Sequence, residues 1–156
     1  MDSEADSTST KQVTAAGGDR RPAGEERIRV VIADDDPIIL DPIATLLETR
    51  FDVVGRARNG RELLEIVKRL TPAVVVADLA MPEMNGIEAA RQIKQTCSNV
   101  KVVMLSGYDD PALVEAAFEA GASGYVVKLR AFTDLIPAIQ DVLAGRLYCS
   151  NHVGSQ

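Results

Sequence analysis

The sequence predicts an α/β fold: (βα) repeated five times, a doubly wound parallel sheet with helices on both faces. Three observations predict it. Short strand-forming runs occur at residues 28–33, 52–57, 73–78, 100–105 and 124–127; the first apart from Arg29, and the third up to Asp78, are apolar throughout, as in strands buried on both faces. Between them lie segments with apolar residues at helical spacing, such as Leu63, Leu64, Ile66, Val67 and Leu70. Strand and helix then alternate strictly, which calls for right-handed crossovers and a parallel sheet.

Each element has its own signal. The first strand ends at Ala33, and a helix is predicted over 37–49, with Asp36 as N-cap and Pro37 at its first position, where a missing N–H costs nothing. Pro42 falls inside that helix and predicts a kink. Further helices are predicted over 59–70, over 86–97 with Ile87, Ala90 and Ile93 on one face, and over 111–120, closed by Gly121. The last spans 133–144, capped by Thr133 and stopped by Gly145, with Pro137 near its first turn. Residues 1–26 are rich in Ser, Thr, Asp, Gly and Ala and are expected to be a disordered tail. The domain is expected over 27–145, and 146–156 as a tail or the start of a linker.

Composition excludes several classes. Aromatic residues make up 4% and Trp is absent, so the core is aliphatic. A net charge of −6 argues against nucleic-acid binding by this chain on its own. Two cysteines, Cys97 and Cys149, and a single histidine, His152, make neither a zinc site nor a disulfide framework. No apolar run approaches the roughly 20 residues of a membrane span. A cytoplasmic chain is expected, with free thiols.

The chemistry gathers at one edge. The first strand ends in Asp34, Asp35 and Asp36; the third ends in Asp78, followed by a turn rich in Pro, Asn and Gly; the fourth leads to Ser106 and the fifth to Lys128. C-terminal strand ends are where open α/β sheets hold ligands. Each residue alone has an ordinary explanation: a solvated loop, a helix cap, a turn anchor. Together they suit a divalent cation and a phosphoryl group. Mg²⁺ takes one or two carboxylates plus phosphate oxygens; Asp34 or Asp35 with Asp78 supplies carboxylates, and a carbonyl near Ala80 a third oxygen. A carboxylate attacks phosphorus to give an aspartyl-phosphate, with Lys128 and Ser106 on the remaining phosphoryl oxygens.

With these residues in place, the chain resembles the receiver domain of bacterial two-component response regulators, over about residues 28–145. The resemblance rests on Val30-Val31-Ile32-Ala33-Asp34-Asp35-Asp36-Pro37, Asp78-Leu79-Ala80-Met81-Pro82-Glu83-Met84-Asn85-Gly86, Met104-Leu105-Ser106-Gly107, and Gly121-Ala122-Ser123-Gly124-Tyr125-Val126-Val127-Lys128. It implies a flavodoxin-like sheet of five parallel strands in order 2-1-3-4-5, an order stated generally for one member of this family. It further implies Asp78 as phosphoacceptor, Asp34 and Asp35 as the Mg²⁺-holding pair, Lys128 as phosphoryl contact, and Ser106 with Tyr125 as the switch. A sensor histidine kinase is the implied donor, and a homodimer is a possible state. Gly145-Arg146-Leu147-Tyr148-Cys149-Ser150 is similar to the linker entry of the branch with a C-terminal LuxR-type helix-turn-helix. A fragment of a transcription factor is therefore expected, with DNA bound only through an output domain absent from this chain.

There are departures. Leu129 follows Lys128 where many receivers carry Pro, so a trans bond or a strained loop is expected. Ala80 and Gly107 are small and leave the site open to water. Two rivals fare worse. A haloacid-dehalogenase-like phosphatase needs a further acidic pair beyond Lys128 and leaves Asp78 unexplained. A phosphate-independent binding module leaves a complete site unused.

Overall fold

In the computed structural model, residues 27–150 are described. The expectations for residues 1–26 and for His152 lie outside them. The elements are β1 (Arg29–Ala33), α1 (Pro37–Glu48), β2 (Asp52–Ala57), α2 (Gly60–Leu70), β3 (Val74–Asp78), α3 (Gly86–Thr96), β4 (Lys101–Ser106), α4 (Pro111–Glu119), β5 (Gly124–Val127), a 3₁₀ turn (Lys128–Arg130), α5 (Ala131–Leu143) and β6 (Tyr148–Cys149). The sheet is parallel, in order β2-β1-β3-β4-β5-β6. The doubly wound fold stands; the strand count is corrected from five to six. Tyr148 and Cys149, expected in a tail or linker, pair with Gly124 and Tyr125 on the outer edge of β5.

The strands explain why both faces need helices. Successive side chains point to opposite faces. Val31, Ala33, Val75 and Ala77 pack with α2, α3 and α4; Val30, Ile32, Val74 and Val76 pack with α1 and α5. Chain order reverses between β1 and β3, and a crevice opens there beyond the strands' C-terminal ends. Asp34 and Asp78 leave the sheet at that crevice.

The helix starts are set by local chemistry. Asp36, Asn59, Asn85 and Asp110 each accept a backbone N–H in the first turn of the helix that follows. The last helix departs from expectation. It starts at Ala131, directly from the 3₁₀ turn, with no side-chain cap; the Thr133 hydroxyl instead donates to the Arg130 carbonyl. Pro137 therefore lies in the helix interior. Both Pro42 and Pro137 face solvent, and each helix runs on through its proline. The carbonyls they leave without an intrahelical partner are those of Ile38 and Thr133, both exposed residues that water can serve. Among the described residues no helix is long and apolar enough to cross a membrane.

Candidate functional site

The site is built on strand ends that the core fixes. Asp34 follows β1, and its N–H donates to the Ala57 carbonyl at 3.0 Å. Asp78 ends β3, and the Leu79 N–H donates to the Leu105 carbonyl at 2.9 Å. The Gly86 N–H returns to the Leu79 carbonyl at 2.9 Å, closing the loop between β3 and α3. A Cβ at Gly86 would strike the Asp78 carbonyl oxygen, so this position needs glycine. Glu83 sits at the loop's apex with φ +67°, and the Met84 N–H donates to the Pro82 carbonyl at 2.7 Å. That is a γ-turn of the rare, strained hand, and no residue pattern there announces it.

The carboxylates converge. One oxygen each from Asp34, Asp35 and Asp78 lies within 4.8 Å of the others. Asp34 and Asp78 are 2% and 4% exposed, and Asp35 is exposed at the mouth. Lys128 Nζ lies 3.2 Å from Asp78 Oδ1 and 3.3 Å from Asp34 Oδ2. The second contact is an ion pair without hydrogen-bond angles, so Oδ2 is buried with no hydrogen bond. Asp34 Oδ1 accepts the Asp36 N–H at 2.9 Å, and Asp78 Oδ1 accepts the Ala80 N–H at 3.3 Å. The Lys128–Leu129 bond is trans, and Lys128 reaches both acids.

An excess of negative charge results. Burial, then the adjacent Asp34 carboxylate, pushes Asp78 up to about 6, against the pull of Lys128. Burial draws the Lys128 ammonium down, but Asp78 and Asp34 together outweigh it and its pKa is raised. The donor set fits a hard cation: three carboxylates, one with a buried oxygen lacking a hydrogen bond, face one ammonium.

A stability prediction follows from Asp78. Its folded pKa lies above the ordinary value of 3.8, so the native state binds the proton more tightly than the unfolded chain. Stability then falls as pH rises from about 4 to about 6 and stays low above that. With chelator present, Asp78→Asn is expected to melt a few degrees above wild type at pH 7.5. That corresponds to on the order of 1 kcal/mol, allowing for screening by water at the pocket mouth. The difference should vanish below about pH 4. Circular-dichroism melts at the two pH values check it; a lower melting temperature for Asp78→Asn at pH 7.5 would contradict it.

Ser106 and Tyr125 meet on a backbone that sequence reasoning did not single out. Ser106, 1% exposed, accepts the Tyr108 N–H on Oγ at 3.0 Å. The Tyr125 ring is fully buried, and its hydroxyl donates to the Tyr108 carbonyl at 2.8 Å. Tyr108 itself is exposed and joins the two through its main chain; no side-chain chemistry marks it in the sequence. Asp34, Asp35, Asp78 and Lys128 thus come together, Ser106 lines the same cleft, and Tyr125 lies behind it, joined through Tyr108. The cleft, of about 620 Å³, is lined by Asp35, Asp36, Asp78, Ala80, Ser106, Gly107, Tyr108 and Lys128, among others.

A buried aspartate beside an acidic pair and a lysine thus lies at the switch point of a flavodoxin-like α/β sheet. The response regulator receiver domain family matches residues 30–140, and the chain belongs to that family. It is 39% identical over 120 residues to the transcriptional regulatory protein LnrK of Bacillus subtilis, covering 76% of this chain and 54% of that protein. It is 33% identical over 123 residues to the probable transcriptional regulatory protein NarL of Mycobacterium tuberculosis, covering 78% and 57%. Among solved structures, a LuxR-family two-component response regulator from Aurantimonas superposes with a TM-score of 0.79 at 35% identity, covering 83% of this chain and 94% of that one. The receiver domain of the putative response regulator NarL from M. tuberculosis gives 0.75 at 32%, covering 78% and 100%. The chain spans a little over half the length of the curated relatives it matches.

Proposed function

We propose that this receiver takes a phosphoryl group onto Asp78 from a sensor histidine kinase and relays the event through Ser106 and Tyr125. The observation that carries it is the Asp78 carboxylate: buried at a strand end, 3.2 Å from Lys128 Nζ and grouped with Asp34 and Asp35. An Asp78 oxygen attacks phosphorus, the bond from phosphorus to the donor breaks, and the donor leaves with the electron pair. An acyl phosphate remains. Lys128 holds one phosphoryl oxygen, and Ser106 turns from Tyr108 to donate to another. Asp34, Asp35, Asp78 and the Ala80 carbonyl would hold Mg²⁺, which supplies charge neutralisation between nucleophile and phosphoryl oxygens. Positioning and electrostatics suffice for this chemistry.

Ser106 now spends its Oγ on the Tyr108 backbone. Recruiting it to a phosphoryl oxygen frees Tyr108, and with it the carbonyl that Tyr125 holds. A population shift across β4, α4 and β5 is the relay. Output falls to an attached domain: the matched relatives are named as transcriptional regulators and are longer than this chain. DNA would be reached through that domain, with or without pairing of two receivers.

The reverse step is hydrolysis. Ala80 is exposed at the pocket mouth and a Cβ at Gly107 would meet nothing within 4 Å, so water reaches the phosphoryl site freely. Ala80→Arg is expected to lengthen the acyl-phosphate lifetime roughly fivefold, a barrier change on the order of 1 kcal/mol. Following loss of the phosphorylated mass with time checks this; an unchanged rate would contradict it.

A further inference from the structure

We propose that residues 148–150 form a strap that positions Lys128 for phosphoryl transfer, with Tyr148, Ser150 and Asp134 as positioning residues. The inference deepens the phosphotransfer reading and rests on it for the chemistry.

Lys128 heads a 3₁₀ turn with little hold of its own. No residue of Lys128–Arg130 is buried, the turn has no side-chain cap, and Leu129 is 96% exposed. The turn is held instead at its two ends. Before it, the Val127 N–H donates to Ser150 Oγ at 2.8 Å. The Ser150 N–H donates to the Tyr125 carbonyl at 2.9 Å, and the Tyr148 N–H to the Ser123 carbonyl at 3.0 Å. After it, Arg130 Nε and Nη2 donate to Asp134 Oδ2 and Oδ1 at 2.9 and 3.3 Å. Asp134 is buried and also accepts the Thr133 hydroxyl at 3.0 Å; burial, then the Asp134 charge beside it, pushes the Tyr148 phenol up to about 12.

The same short segment therefore fastens both sides of Lys128. Ser150 ties down the residue before it, and Tyr148 lies beside Asp134, which holds Arg130 two residues after it. The lysine must keep its ammonium 3.2–3.3 Å from two carboxylates on other strands. A flexible stem on a loose turn would not hold that placement, and a displacement of about 1 Å in a reacting array is enough to slow transfer. Linkage is reciprocal: a phosphoryl group that draws Lys128 toward Asp78 changes the strap's hold by the same free energy. Tyr125 shares the strap through its carbonyl, so the switch side chain and the phosphoryl lysine are fastened by one segment.

The test uses the full chain with Tyr148→Phe and Ser150→Ala, each alone and combined with Lys128→Ala. Phosphoryl uptake from acetyl phosphate is followed by intact mass, and amide hydrogen exchange is followed over residues 127–131 and 60–70. Each variant is expected to lower the maximal uptake rate about tenfold with the half-saturating donor concentration unchanged, as for outer groups that orient a site. Exchange over 127–131 should quicken about fivefold, the loss of one hydrogen bond, with 60–70 unaffected. With Lys128→Ala already present, neither variant should slow uptake further. Equal slowing in both backgrounds, or unchanged exchange over 127–131, overturns the strap. If wild type takes up no phosphoryl group while exchange responds as stated, the phosphotransfer reading fails and the strap's hold on the turn stands. If wild type is phosphorylated and neither variant alters rate or exchange, the strap fails and the reading stands.

Discussion

Lys128→Ala is expected to lower both stability and phosphoryl uptake, and Mg²⁺ should rescue only the first. The ammonium is the cation facing two buried carboxylates, at 3.2 and 3.3 Å. Removing one partner of a buried pair costs about 3–5 kcal/mol, because the other charge stays behind unpaired. The Lys128 side chain is 25% exposed and Asp78 can take up a proton near pH 6, so a loss of about 2 kcal/mol is expected here. A divalent cation would supply the missing positive charge, so Mg²⁺ should raise the melting temperature of the variant more than that of wild type. Transfer behaves differently. A pre-placed donor aimed at a phosphoryl oxygen is worth about 10²–10³ in rate, and a metal at the carboxylates does not occupy its place. Melts with and without Mg²⁺, beside uptake rates, separate the two effects. Full uptake in the variant would remove Lys128 from the phosphoryl site.

Chelating Mg²⁺, or replacing Asp34 by Asn, is expected to cut uptake by about 100-fold or more, several kcal/mol of charge stabilisation. The reason lies in the balance of charge. Asp34, Asp35 and Asp78 together carry more negative charge than Lys128 offsets, and an incoming phosphoryl group adds more. Asp34 Oδ2, buried and without a hydrogen bond, is the atom whose environment a cation would complete. Titration calorimetry should show Mg²⁺ binding to wild type and its loss in Asp34→Asn. The same variant should be more stable than wild type without metal, since it removes a carboxylate that raises Asp78. Uptake that is indifferent to chelator would contradict the assignment of the acidic cluster.

Much of this was legible in the sequence because the signals were local. Asp36 followed by Pro37 states a helix start, and the structure uses both residues so. Val74, Val75 and Val76 form a strand buried on both faces, and its last residue, Asp78, falls where such sheets bind ligands. What was not legible depends on contacts far apart in the chain. β6 is two residues long, too short for any periodicity, and forms because β5 offers it an open edge. Thr133 looks like a cap, yet α5 starts two residues earlier at Ala131, growing out of the turn at Lys128, and Asp134 holds Arg130. Tyr108 joins Ser106 to Tyr125 through its main chain, which every residue possesses. The γ-turn at Glu83 likewise has no side-chain signature.

The most direct measurement is the intact mass of wild type and of Asp78→Asn after incubation with acetyl phosphate and Mg²⁺. A gain of about 80 Da, one phosphoryl group, in wild type and none in Asp78→Asn is the predicted result. An equal gain in both proteins would place the phosphoryl group elsewhere and contradict Asp78 as the acceptor.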